Sequence, residues 1–269
     1  MFYEKSLGED FGLKLVGGQE EHGAPPGYYL ALVSFSFWPA TLLLLPAILY
    51  GLSRRNEPAV RYLLLWAGAT WLMFEAAPTK LPHYILPAYP PLAFLGALWL
   101  AQTQTDETPR ERWVRRASVM LFLGVAMFFG LLTGWAPDRF SSGSVWYLYV
   151  GGMFGVLMAA FAAWLGWRRR TPAALGAAAL AALVLYPVTA LGTAPRLEKL
   201  WLSPRLAAMV AREARDGDPP VISTGYTEPS LVFLLGTHTT LLNGKPAGEL
   251  ASKRGGLVLV EDDQKQRFE

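Results

Sequence analysis

The sequence contains no cysteine, so it can build neither a disulfide framework nor a thiolate metal site, and it has no thiol nucleophile. Charge is also scarce: Asp, Glu, Lys and Arg make up 17% of the 269 residues, against 52% hydrophobic residues and a mean hydropathy of +0.26. A chain this apolar is ill suited to water, and a bilayer is its natural solvent. Histidine occurs three times, and His22 and His83 stand in different segments, where structural hydrogen bonding is a commoner role than metal ligation; neither a metal nor a cofactor is expected. No phosphate-cradling glycine loop, GxSxG elbow or HExxH helix is present. The long apolar runs also lack a file of charges through their middles, which argues against an ion pump or a proton-coupled transporter.

The amino-terminal stretch MFYEKSLGEDFGLKLVGGQEEHGAPPGYY carries acidic residues, glycines and prolines where a secretory signal needs a basic segment and an apolar run. It leaves the first apolar run without a preceding basic anchor, and the expectation is that an amino-terminal portion precedes this one. The net charge of +3 and pI near 9.1 do not mark a nucleic-acid binder, because the basic residues fall in short clusters between apolar stretches instead of on one patch.

Crossing a hydrocarbon core of about 30 Å takes roughly 20 apolar residues in a helix. About six runs approach that length: Tyr28 to Tyr50, Ala59 to Ala77, Ile85 to Ala101, Ala117 to Trp135, Val145 to Trp167 and Ala173 to Thr193. In the third, Pro87, Pro90 and Pro91 remove backbone donors and should kink the helix or start it late. The fold class is therefore an α-helical integral membrane bundle, residues 1–194, followed by a small soluble domain, residues 195–269. Basic residues stay on the cytoplasmic side during insertion. Arg54, Arg55 and Arg61 follow the first run, Arg110, Arg112, Arg115 and Arg116 the third, and Arg168, Arg169 and Arg170 the fifth. The alternate loops hold only Lys80 and Arg139 and are expected to face the periplasm, together with the amino-terminal segment and the tail. Trp38, Trp71, Trp99, Trp135, Trp146 and Trp167 suit either interfacial anchoring or burial between helices.

From about Pro195 charges of both signs appear and apolar runs shorten. Ser203 before Pro204 reads as a helix start for LAAMVAREARD, and VIST, THTTLLN and GLVLVED read as strands alternating with helices in EPSLVFLLG and PAGELASKR, a small sheet flanked by helices. Leu197, Leu200 and Trp201 have the spacing of a short amphipathic surface helix.

Two outer segments gather polar groups: GGQEEHGAPPGYY, with Glu20, Glu21 and His22, and EAAPTKLPHYILPAYPP, with Lys80, His83 and Tyr84. Glu75, near the outer end of the second run, is an ionisable group in apolar surroundings and thus a functional candidate. Lys80 has two readings: a lysine snorkelling to lipid headgroups, or an anion clamp, held between Pro78 and Pro82 and backed by a tyrosine hydroxyl, for a phosphate at the membrane surface. Glu20 and Glu21 are adjacent loop acids that more often are simply solvated than paired for acid/base work.

The elements HGAPPGYY and KLPHYILP, two spans apart, resemble the bacterial lipid-linked sugar transferases, which include the aminoarabinose transferases acting on lipid A and relatives of the dolichyl-phosphate-mannose protein mannosyltransferases; GYTEPSLVFLLGTHTTLLNG resembles the carboxyl-terminal periplasmic domain of some members. The resemblance implies a multi-span enzyme of the bacterial inner membrane that moves a sugar from a polyprenyl phosphate carrier to a glycan, lipid or protein acceptor on the periplasmic face. It implies that Lys80 and Tyr84 lie at the carrier phosphate and that Glu21, His22, Tyr28 and His83 line the cavity. The family's acidic catalytic motif lies in an earlier outer loop that no segment here matches, so the resemblance is to a carboxyl-terminal half and assigns no catalytic residue. The competing reading is a non-enzymatic membrane scaffold or transporter subunit whose outer domain binds a partner.

Overall fold

The computed structural model describes residues 24–78, 80–102, 107–140, 145–215 and 217–268. The chain separates into two compact units, one of residues 24–135 and 145–193, the other of residues 136–140 and 194–268 among those described.

The first unit is entirely helical. It comprises α1 (Tyr28–Ser36), α2 (Thr41–Ser53), α3 (Pro58–Ala76), a 3-10 segment Pro82–Ala88 leading into α4 (Tyr89–Ala101), then α5 (Pro109–Phe140) as far as Trp135, α6 (Trp146–Trp167) and α7 (Thr171–Pro187), which runs on through a π-helical turn, Val188–Thr193. Among the described residues, four continuous helical segments are long and apolar enough to cross a bilayer: Pro82–Ala101, Pro109–Phe140, Trp146–Trp167 and Thr171–Arg196. Of the about six runs expected, four thus include helices of membrane length. The first apolar run is not one helix but two, because the chain turns between Ser36 and Thr41 at Trp38-Pro39, and Pro39 has no N–H to continue a helical ladder. Neither α1 nor α2, at about 14 and 20 Å, spans a hydrocarbon core alone. Helix α3 reaches about 28 Å yet carries Arg61 and Glu75 near its ends and falls outside the four. In the third run the prolines act as their chemistry requires: Pro87 sits in the 3-10 segment, while Pro90 and Pro91 occupy the first turn of α4, where missing donors cost nothing.

Helices α6 and α7 form a tight antiparallel hairpin. The buried stripe of α6 is built from small residues, Gly152, Gly155, Ala159, Ala162, Ala163 and Gly166, and meets Ala174, Ala178, Ala181, Ala182 and Leu185 of α7. Small residues let helix backbones approach closely, which matters in lipid, where apolar burial does not drive association. The α5–α6 crossing is closer still: a Cβ on Gly152 would stand 2.2 Å from Thr133 Oγ1 and 2.5 Å from the Gly130 carbonyl oxygen. Thr133 donates to the carbonyls of Gly130 at 2.7 Å and Leu148 at 3.3 Å. Large side chains such as Leu131, Met153, Leu157 and Leu183 point outward, as lipid-facing positions do.

At the end of the helices that carries the arginines, an ionic knot closes the unit. Glu107 receives Arg115 Nε at 2.7 Å and Nη2 at 3.2 Å. Arg112 and Arg169 stand 3.8 and 3.7 Å from Glu107 Oε2. Arg115 also donates to the carbonyls of Gly166 at 2.7 Å and Trp167 at 3.3 Å, satisfying acceptors that every helix end leaves open. Burial raises the Glu107 carboxyl, but the Arg115 hydrogen bonds and the charges of Arg115, Arg169 and Arg112 outweigh it and hold the group below the usual glutamate range.

The second unit contains α8 (Leu202–Glu213), β1 (Ile222–Thr224), α9 (Pro229–Leu235), β2 (Thr240–Leu241), α10 (Gly244–Arg254), β3 (Val258–Val260) and a terminal turn α11 (Lys265–Phe268). Its strands form a parallel sheet in the order β2-β1-β3, with Ile222 beside both Thr240 and Val258. Parallel neighbours need crossovers, and α9 and α10 supply them. Two local expectations fail. Ser203 is not a helix cap: it is buried inside α8 and its hydroxyl bonds those of Tyr226 and Ser230, each at 2.8 Å. Leu197, Leu200 and Trp201 follow the 3-10 turn Ala194–Arg196 in a loop and turn instead of an α-helix, and the Trp201 indole donates to the Ala194 carbonyl at 2.8 Å.

Candidate functional site

The site lies in the first unit, at the end of α3 opposite Arg61, where three pieces of chain meet: the start of α1, the last turn of α3 and the 3-10 segment. Helix α3 stops at Ala76 because Ala77, which precedes Pro78, takes an extended conformation. That leaves the last carbonyls without helical partners, and Lys80 folds back to fill the gap. Its ammonium donates to the Glu75 backbone carbonyl and to Glu75 Oε1 at 3.2 Å. The same Oε1 accepts the Gly27 N–H at 2.7 Å. Gly27 sits in the left-handed region at φ 86°, a conformation a side chain disfavours, and so turns the chain into α1.

The floor of the site is aromatic. Tyr29 is fully buried with Ile85 and Ala88, and its hydroxyl donates to the Leu81 carbonyl at 3.1 Å. Lys80 Nζ stands 5.6 Å from the Tyr29 ring centroid, within cation–π range. Tyr28 meets Tyr29 edge-on at 5.0 Å. Tyr84 packs on Phe74 at 5.0 Å and takes the edge of His83 at 4.9 Å. The Lys80 side chain is only 5% exposed, so it does not extend outward as a headgroup anchor would. An ammonium has three donors; among the described residues, the carbonyl and carboxylate of Glu75 take two.

Of the residues singled out from sequence, Tyr28, Lys80 and Tyr84 thus belong to one aromatic and ionic cluster, with Glu75 as the partner of Lys80. His83 is exposed at its edge. Glu20, Glu21 and His22 lie outside the described residues. Tyr29, the residue beneath Lys80, was not among them; the signal that marks it is its i, i+4 relation to Val33, which puts both on the buried face of α1. Among the described residues no group of three or more acidic, histidine or cysteine side chains has the arrangement of a metal site.

Comparison with known proteins gives a consistent but partial answer. The chain is similar to undecaprenyl phosphate-alpha-4-amino-4-deoxy-L-arabinose arabinosyl transferases: it is 35% identical over 119 residues to that of Pectobacterium carotovorum subsp. carotovorum, covering 42% of this chain and 21% of that protein. It is 38% identical over 103 residues to that of Yersinia enterocolitica, covering 38% and 19%, and 28% identical over 150 residues to one from Proteus mirabilis, covering 55% and 26%. The aligned part spans about a fifth of the length of the curated relatives first matched. No family model matches the chain, and no solved structure matches it. At the coarse level, then, the chain is a largely helical protein with four membrane-length apolar helices and similarity to transferases named for a polyprenyl phosphate sugar.

Proposed function

We propose that the chain is the carrier-binding part of a membrane glycosyltransferase, taking a sugar such as 4-amino-4-deoxyarabinose from a polyprenyl phosphate and passing it to an acceptor on the periplasmic face of the bacterial inner membrane. The similarity to aminoarabinose transferases carries this reading. The cluster around Lys80 supports a location for that chemistry. As the bond between the sugar's anomeric carbon and the phosphate oxygen breaks, negative charge grows on the phosphate. A cation fixed in low-dielectric surroundings offsets that charge more strongly than one in water. Lys80 is held by Glu75 and the Tyr29 ring, and its third donor is the one offered to the phosphate, with the Tyr84 hydroxyl as a second donor. Glu21, His22, Tyr28 and His83 are assigned to the cavity wall, and the second unit to the periplasmic side.

One observation favours a second reading, in which Lys80 only fastens the outer hairpin: it caps α3 and pairs with Glu75. Membranes from a strain lacking its own transferase separate the two. They would carry this chain, an amino-terminally extended form, and that form with Lys80→Ala or Lys80→Arg, each supplied with radiolabelled polyprenyl phosphate sugar. The carrier-binding reading expects transfer that falls at least tenfold, about 1.4 kcal/mol, in Lys80→Ala with the folded protein still present, and partial recovery in Lys80→Arg. Transfer that tracks only the amount of folded protein supports the fastening reading. No transfer by any extended form would overturn the enzymatic assignment.

A further inference from the structure

The arginine-rich end of the first unit carries a feature the transferase reading does not use. Along α6, Leu157, Phe161, Trp164 and Arg168 follow one another at helical spacing on a single outward stripe, and Phe161, Trp164 and Leu157 are each about half exposed. The Arg168 guanidinium lies over the Trp164 ring, 5.6 Å from its centroid, and Trp164 stacks on Phe161 at 5.8 Å with an interplanar angle of 21°. One residue before Arg168, the Trp167 ring carries the guanidinium of Arg116 of α5 at 4.6 Å from its centroid. Below the aromatic pair, α6 and α7 leave a groove of about 360 Å³, lined by Leu157, Met158, Phe161, Ala177 and Leu180.

We infer that this stripe is a binding site for one anionic phospholipid of the surrounding leaflet, its phosphate taken by Arg168 and Arg116 and one acyl chain lying in the α6–α7 groove. Three observations fix this occupant. The twelve residues from Leu157 to Arg168 rise about 16 Å, close to half of a hydrocarbon core of about 30 Å, so the stripe, with the groove at its Leu157 end, has the depth of one leaflet. Its chemistry changes along that rise from wholly aliphatic to aromatic to cationic, the order met from acyl chain through interface to headgroup. The guanidinium groups are pre-positioned on indole faces, which leaves their planar N–H edges for a phosphate. Basic pockets between membrane helices commonly take such headgroups.

The test uses the full chain purified in detergent, titrated with phosphatidylglycerol or phosphatidylcholine vesicle lipid and followed by native mass spectrometry of the retained lipid. We expect phosphatidylglycerol to be retained preferentially, and Arg116→Gln with Arg168→Gln to lose about thirtyfold in affinity, equal to ~1 kcal/mol per arginine at a charged leaflet. Leu180→Trp, which fills the groove without changing charge, should lose retention as well. A matched charge removal at the same end, Arg55→Gln with Arg61→Gln, should lose less than threefold. Equal losses in the two double variants mean diffuse attraction and overturn the site, as does retention unaffected by Leu180→Trp. Displacement by millimolar inorganic phosphate would also overturn it, showing a free-anion site in place of a lipid one.

Discussion

The Glu107–Arg115 knot makes the sharpest energetic prediction. Arg115 is 5% exposed and the Glu107 side chain 2%, so Arg115→Met strands a carboxylate away from water and frees the Gly166 and Trp167 carbonyls at the end of α6. Breaking a buried pair from one side costs about 3–5 kcal/mol. Arg112 and Arg169 remain near Glu107 and offset part of that, which places the expected loss near the lower bound, about 3 kcal/mol. Glu107→Gln removes the charge that would be stranded, so the double variant should be less damaged than the sum of the two singles by about 1–2 kcal/mol. SDS-induced unfolding in mixed micelles, followed by tryptophan fluorescence, measures all four corners of this cycle. A single-variant loss below about 1 kcal/mol, or additivity within about 0.5 kcal/mol, would refute the claim that the two side chains are energetically one unit.

The same carboxyl gives a pH signature. Its value is depressed in the folded protein, so its stabilisation is present above the unfolded glutamate value of about 4.3 and is lost as pH falls through the lower folded value. Unfolding midpoints should stay level between about pH 7 and 5 and drop below about pH 4, with a smaller drop in Glu107→Gln. Gly152→Ala should destabilise the α5–α6 crossing by about 1–3 kcal/mol, since its Cβ meets Thr133 and the Gly130 carbonyl, whereas at Gly176, inside α7 with nothing within 4 Å, alanine should stabilise by up to about 1 kcal/mol; the same micelle titration reads both. In the second unit, Gly225 has φ +92° and a Cβ there would meet Glu261 at 2.5 Å. Gly225→Ala should cost about 2 kcal/mol and speed proteolysis of residues 194–268 without touching the helical unit.

The long helices were readable because their signal is additive: from Ala117 to Trp135 or Val145 to Trp167 nearly every residue is apolar, and no single position decides the outcome. Proline positions were equally legible in α4, where Pro87, Pro90 and Pro91 delay the α-helix to Tyr89. The first run misled because hydropathy is blind to direction: FSFWPATL is apolar enough to cross a bilayer, yet Pro39 sits where the chain turns. In the tail the α/β alternation was visible in the turn residues, but Ser203 was misjudged because a serine before proline looks the same whether its hydroxyl caps a helix or meets Tyr226 and Ser230. At the candidate site, composition singled out Lys80, Tyr84 and Glu75. What it lacked was the pairing: Lys80 to Glu75 depends on the chain folding back after α3 ends, and Tyr29 instead of Tyr28 beneath it depends on how α1 is rotated and on contacts some fifty residues apart.

The knot at Glu107 also imposes a schedule on biogenesis. Arg115 can reach its final acceptors only after Gly166 and Trp167 have been made, fifty-one and fifty-two residues later in the chain. The knot is complete only in a chain that extends through Trp167, and a product that ends before Gly166 leaves Arg115 with Glu107 as its acceptor and without the end of α6.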